Sequence, residues 1–219
     1  VNAATFSPEG QLALTASNDN TAKVWSTESG ECLHTLRGHE YWVNSVMFAP
    51  DGNRALTASD DRTARIWSTL SGECLRTLKG HDDNVNSAVF SPDGQCVLTA
   101  SYDGTAKIWC AASAECLRTL EDHEGDVNSA VFSPDGLTVL TASHDRTAKV
   151  WRASSGECLR TLEGHGNWVN SVAFSPDGQL MLTASGTGAS TGAARIWNTS
   201  SGECVRTLEG IWRASFRPY

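Results

Sequence analysis

The chain has 219 residues, a formal net charge of −8 and 40% hydrophobic residues. The acidic balance argues against nucleic acid or an anionic membrane surface as partner. No apolar run reaches the about 18 residues of a membrane-spanning helix, and no signal peptide is visible.

Repetition organises everything else. Trp25, Trp67, Trp109 and Trp151 stand 42 residues apart, and Trp197 follows 46 residues later. His39, His81, His123 and His165 keep the 42-residue step. A fixed period of this length signals stacked supersecondary units. One such unit cannot bury both of its faces alone, so the chain is expected to form one domain. Its blades span about 1–36, 39–78, 81–120, 123–162 and 165–208, followed by an irregular tail or strand remnant over 211–219.

Copy one has no initiator Met and begins directly on a strand, as a piece of something longer would. It keeps Ser17, Asp19 and Trp25 but has no Gly-His pair before that strand. Copies two to four carry a full set: His39, Ser59, Asp61, Trp67; His81, Ser101, Asp103, Trp109; His123, Ser143, Asp145, Trp151. In copy four Asp122 replaces the glycine of the pair. Copy five keeps His165, Ser185 and Trp197, but four residues are added to its turn and the acidic residue is gone. Such a Gly/Ser/Thr-rich insertion predicts a loop. In the tail, Phe216-Arg217-Pro218 faintly echoes Phe-Ser-Pro, which leaves a damaged sixth copy and an unrelated end both open.

Copy three shows the local grammar. Strands are predicted near Val85–Phe90, Gln95–Ser101, Thr105–Cys110 and Glu115–Leu120, each rich in β-formers and bounded by turn residues. Ser91-Pro92-Asp93-Gly94 combines a fixed φ, an Asp that can bond its own backbone and a Gly that accepts positive φ. Adjacent apolar pairs such as Val89-Phe90 and Ile108-Trp109 predict sheets covered on both faces. Four-stranded antiparallel sheets stacked in this way form a β-propeller.

The Gly-His pair, the Phe-Ser-Pro-Asp-Gly turn, the Ser-x-Asp-x-Thr turn and the following Trp resemble the WD-repeat β-propeller family over almost the whole chain. No copy has Asp after its Trp; the next residues are Ser26, Ser68, Cys110, Arg152 and Asn198. The expected fold is therefore all-β, a propeller of five blades from this chain. It is expected as a closed or nearly closed ring, with an open arc, a ring shared between chains or a fragment of a larger propeller as rivals. The resemblance implies that His, Ser, Asp and Trp form one structural row per blade: Asp holds His, His holds Ser, and Ser reaches the indole N–H. A hydrolase reading of the same residues is disfavoured because they recur in every blade, whereas an active site is made once.

The resemblance also places two variable sets at the channel mouth, where such propellers grip peptides. From them we single out Tyr41, Trp42, Asp60, Asp83, Tyr102, Asp126, His144, Asn167 and Trp168. Aromatic anchors dominate interface energy. Asp60, Asp83 and Asp126 would favour partners containing Lys or Arg. The plainer alternative is that Trp42 and Trp168 pack on a neighbouring blade's loop. The functional expectation is a non-enzymatic protein or peptide scaffold, without cofactor or metal. The alternative is a structural or truncated segment of a larger regulatory protein.

Other signals have simpler readings. Cys32, Cys74, Cys116, Cys158 and Cys204 are one repeat position; Cys96 and Cys110 are extras. No CxxC pair occurs, so free, buried or half-buried thiols in a reducing, cytoplasmic compartment are expected. Lys23, Arg65, Lys107, Lys149 and Arg195, with Arg76, Arg118, Arg160 and Arg206, could attract phosphate, but pairing with Glu31, Glu73, Glu115, Glu157 and Glu203 is the simpler use. The Ser-Pro pairs at Ser7, Ser91, Ser133 and Ser175 read as turns rather than phosphorylation sites. Asn198-Thr199-Ser200 fits a glycosylation acceptor with no other sign of secretion.

Overall fold

The computed structural model describes residues 1–186 and 192–210. Most of the copy-five insertion and the whole 211–219 tail lie outside the described residues. Among the described residues there are five four-stranded antiparallel sheets, each in sequential strand order. The first holds β1 (Ala3–Phe6), β2 (Leu12–Ala16), β3 (Ala22–Ser26) and β4 (Cys32–Leu36). The second holds β5 (Val43–Phe48), β6 (Arg54–Ser59), β7 (Thr63–Ser68) and β8 (Cys74–Lys79). The third holds β9 (Val85–Phe90), β10 (Cys96–Ser101), β11 (Ala106–Cys110) and β12 (Cys116–Leu120). The fourth holds β13 (Val127–Phe132), β14 (Thr138–Ser143), β15 (Ala148–Arg152) and β16 (Cys158–Leu162). The fifth holds β17 (Val169–Phe174), β18 (Leu180–Ser185), β19 (Ala193–Asn198) and β20 (Cys204–Glu209). Among the described residues no helix is long and apolar enough to cross a membrane.

The hairpin turns form as their chemistry dictates. Ser91 Oγ donates to Asp93 Oδ1 at 2.6 Å and accepts the Cys96 amide at 2.9 Å. This serine and its equivalents Ser7, Ser133 and Ser175 are buried, so the hydroxyls are consumed by the turn.

The chain forms two compact units. One comprises Val1–Asp103 with Lys107–Leu117; the other comprises Gly104–Ala106 with the described residues from Arg118 onward. Within each, neighbouring sheets pack face to face. Leu14, Val24 and Leu36 of the first sheet meet Val43, Phe48 and Trp67 of the second. Leu56, Ile66 and Leu78 of the second meet Val85, Phe90 and Trp109 of the third. In the other unit Leu140, Val150 and Leu162 meet Val169, Met181 and Trp197. Inner strands are therefore buried on both faces, which explains their unbroken apolar runs. Truncating one of these tryptophans to Ala would cost about 3–5 kcal/mol.

In sheets two to five the first strand carries a bulge at an asparagine. Val43 pairs with Ser59 and Ser45 with Ala58, leaving Asn44 unpaired. Asn86, Asn128 and Asn170 sit in the same register shift. A bulge re-aims its side chain. Asn44 Nδ2 reaches the Val85 carbonyl at 3.3 Å, and Asn128 Nδ2 the Val169 carbonyl at 3.0 Å. Asn2, just before β1, does the same to Val43 at 3.0 Å. Outer-strand arginines add a second tie. Arg76 Nε donates to the Ala112 carbonyl at 2.6 Å, and Arg160 Nη2 to the Ser200 carbonyl at 2.6 Å. Those two arginines thus bond to a neighbouring turn rather than to the expected glutamates.

The turn between third and fourth strands needs a left-handed residue. Gly30, Gly72, Gly156 and Gly202 supply it at φ 73 to 76°, but copy three has Ala114 at φ 64°. A left-handed non-glycine residue costs about 1–2 kcal/mol, partly offset because Ala restricts the unfolded chain. Ala114→Gly should stabilise the protein by roughly 0.5–1 kcal/mol, measurable by urea denaturation.

Candidate functional site

In each of sheets two to five, the segment before the first strand and the turn after the second strand lie together at one end. Asp60 N bonds to the Trp42 carbonyl, Tyr102 N to Asn84, His144 N to Asp126 and Gly186 N to Trp168, at 2.9 to 3.1 Å. These joined turns carry the variable residues.

Beneath them runs a polar row. His39 Nδ1 meets Asp61 Oδ2 at 2.7 Å, and His39 Nε2 meets Thr57 Oγ1 at 2.6 Å. Trp67 donates its indole N–H to the same Thr57 oxygen at 2.9 Å. The expected path through Ser59 is therefore corrected: the residue between His and Trp is a threonine. Sheets three and four repeat this through Thr99 and Thr141. Ser59 lies two residues nearer the turn, beyond the reach of the indole. Its hydroxyl donates to the Tyr41 carbonyl at 3.1 Å and accepts the Asp61 amide at 3.1 Å. Ser101 and Ser143 likewise hold the carbonyls of Asp83 and Gly125. A sequence signal existed: Thr15, Thr57, Thr99, Thr141 and Thr183 recur in every copy.

The row runs without a break from the Asp61 carboxylate through the imidazole to Thr57, whose oxygen accepts the Trp67 indole N–H. Burial pushes the Asp61 carboxyl up, but hydrogen bonds from His39 and Thr63 outweigh it and hold the group well below its ordinary range. The hydroxyl facing His39 Nε2 belongs to fully buried Thr57, out of reach of a substrate.

Sheet five lacks the acid. His165 Nε2 still meets Thr183 Oγ1 at 2.8 Å, and Trp197 donates to Thr183 at 2.9 Å. His165 Nδ1 is buried with no hydrogen-bond partner among the described residues. Burial, helped by the nearby Arg195 charge, lowers its pKa to about 4. Sheet four compensates its lost glycine: Asp122 forms an ion pair with Lys149.

The rim residues divide by unit. In the first, Tyr41 and Trp42 are 61% and 53% exposed. Asp60 Oδ1 accepts a hydrogen bond from Asn44 Nδ2 at 2.6 Å. Asp83 is exposed and accepts the Asn84 amide at 2.7 Å, and Tyr102 is half-buried. Between Glu40, Asp61, Arg62, Arg65, Lys79 and His81 lies a polar cleft of about 290 Å³, which sequence reasoning missed because its residues come from three separate stretches of chain. In the second unit three of the selected residues form one cluster. His144 Nδ1 pairs with Asp126 Oδ2 at 3.1 Å, and its ring stacks on Trp168 at 4.2 Å and 26°. Trp168 thus packs on its neighbour's turn with one face, yet stays 46% exposed. Asn167 Oδ1 accepts the Trp168 amide at 2.8 Å. Among the described residues no group of three or more His, Cys, Asp or Glu could hold a metal ion.

The chain matches the family model "WD domain, G-beta repeat" at residues 1–26, 30–68, 72–110, 114–152 and 156–198. It is 49% identical over 43 residues to human WD repeat-containing protein 86, covering 20% of this chain and 11% of that protein. Over 40 residues it is 48% identical to the nuclear distribution protein PAC1 of Mycosarcoma maydis, covering 18% of this chain and 9% of that one. Over 34 residues it is 56% identical to the Xenopus laevis dynein assembly factor with WD repeat domains 1, covering 16% and 8%. Each match is about one repeat long, so the likeness is to a repeat and the relatives are far longer than the matched segment.

Two outcomes test the polar row. Thr57→Val, which leaves a buried imidazole nitrogen and an indole N–H unpaired, should cost about 2–4 kcal/mol, against about 1 kcal/mol for Ser59→Ala. For His165, the folded pKa lies below the unfolded value, so the unfolded chain binds the extra proton. Stability is complete above about pH 6.5 and is lost as pH falls toward 4. His165→Gln should flatten that limb, by up to about 1.4 kcal/mol per pH unit, in urea midpoints measured from pH 7 to 4.

Proposed function

The chain belongs to the WD-domain, G-beta repeat family, and we propose that it serves as a non-enzymatic scaffold that grips protein or peptide partners at the variable turns. Proteins of this family generally mediate protein–protein interactions. One observation carries the finer reading: large aromatic side chains stand exposed on turns that backbone hydrogen bonds join in pairs. Tyr41, Trp42 and Trp168 offer apolar area at small entropic cost, as interface anchors do. The acidic surroundings, with Glu40, Asp82, Asp83 and Glu124 exposed near the same turns, favour Lys- or Arg-bearing segments. The names of the nuclear distribution and dynein assembly relatives fit such a role. A reducing, cytoplasmic setting suits seven cysteines that form no disulfide.

A second reading has its own support. The matched segments cover only 8 to 11% of the relatives named above. The chain would then act as one segment of a larger regulatory array, and would bind through the same turns.

Trp42→Ala and Trp168→Ala test the proposal against a panel of Lys/Arg-containing peptides. Both are exposed, so folding should persist. At least one should weaken binding tenfold or more, as loss of a hot spot of about 2 kcal/mol does. Unchanged affinity in both, measured by calorimetry, would remove the turns as the binding site.

A further inference from the structure

Copy three differs from its sisters at one cross-strand position. The sister sheets pair Leu12 with Ser26, Arg54 with Ser68, Thr138 with Arg152 and Leu180 with Asn198. The same position in copy three holds Cys96 and Cys110. Its register follows from the bond of the Ala111 amide to the Gln95 carbonyl at 2.9 Å, which leaves the next pair, Cys96 and Cys110, without backbone bonds to each other. Such a pair has Cα atoms about 4.5 Å apart and side chains on one face. A disulfide needs Cα atoms about 4.4–6.8 Å apart. The two thiols are therefore placed to join without backbone movement.

We propose that Cys96 and Cys110 are a reversible redox site, a dithiol that hydrogen peroxide closes into a cross-strand disulfide on the third sheet. Both thiols are free and partly exposed. Their roles differ. Hydrogen bonds from Ser113 and the Ala112 amide pull the Cys110 thiol down, whereas burial pushes Cys96 up. Cys110 is the attacking thiolate. It takes the distal oxygen of the peroxide, the O–O bond breaks, and the leaving hydroxide gains a proton as water. The sulfenic acid so formed on Cys110 is attacked by the Cys96 sulfur, which loses its proton as a second water departs. Two thiols and one hydrogen peroxide give one disulfide and two waters, and an external dithiol returns both thiols by exchange, itself ending as a disulfide. The other five thiols occupy one position on each of five sheets. Cys116, the nearest in sequence, stands opposite Trp109 in the register of the sister sheets, so it faces the other side.

The bond would lie at the end of the β10–β11 hairpin away from Tyr102. It would staple the third sheet and leave the variable turns unchanged.

The test uses the full chain, reduced and then treated with one equivalent of hydrogen peroxide, alkylated and digested with trypsin and a Glu-specific protease. The expected product links the peptide 80–107 to the peptide 108–115, is lost on treatment with dithiothreitol, and leaves the other five thiols alkylated. Cys96→Thr should instead leave a sulfenic acid on Cys110 that a dione reagent traps. Both Cys96→Thr and Cys110→Ser should fold, because Thr138 and Ser68 hold these positions in sister sheets. Alkylation of Cys96 and Cys110 as complete as that of the other five after peroxide would overturn the proposal. So would a Cys110–Cys116 bond or a bond between chains as the main product.

Discussion

A buried threonine hydroxyl sits at the centre of this architecture. Thr57, Thr99, Thr141 and Thr183 each take the indole N–H of a buried tryptophan and meet the Nε2 of a histidine. In a low-dielectric interior an unpaired polar atom is costly, and a fully paired row is correspondingly rigid. Because the histidine precedes the first strand and the tryptophan lies one residue from the end of the third, one hydroxyl ties the start of a sheet to its middle. The aspartate then carries the tie up to the exposed turn. The rim residues inherit their order from a group that no ligand can touch.

The sheets also hold one another. Apolar faces supply the bulk of the attraction, and it is non-directional. Direction comes from the bulged asparagines and the outer arginines, which reach carbonyl oxygens on the adjacent sheet at one end and the other. A bulge lets the strand turn a polar side chain toward its neighbour without leaving the ladder for more than one residue.

Departures from the repeat fall where they can be absorbed or used. Asp122 replaces a glycine and is matched by Lys149. Ala114 takes a left-handed conformation that glycine holds elsewhere. The copy-five turn gives up the acid, and His165 is left neutral and buried with one nitrogen unpaired among the described residues. At the rim, variation brings Asp126, His144 and Trp168 into one stacked, charge-paired cluster, while Trp42 remains more exposed.

The amino-acid sequence by itself determined the period, the number of sheets, the four strands of each and their two-sided burial, because these follow from spacing, turn residues and adjacent apolar pairs that act locally. In copy three the first expected strand coincides with the observed one, and the other three start a single residue later than expected. It did not reveal that Thr57 rather than Ser59 completes the row, since both lie on one face and only depth along the strand separates them. Nor did it reveal that the repeated cysteines, expected buried or half-buried, are mostly exposed, or that Asp60 is bonded by Asn44. The pairing of His144 with Asp126 and its stacking on Trp168 were equally hidden. Each of these depends on which side chains two different strands or sheets bring within hydrogen-bond reach, and only the register, the bulge and the packing of neighbouring sheets decide that.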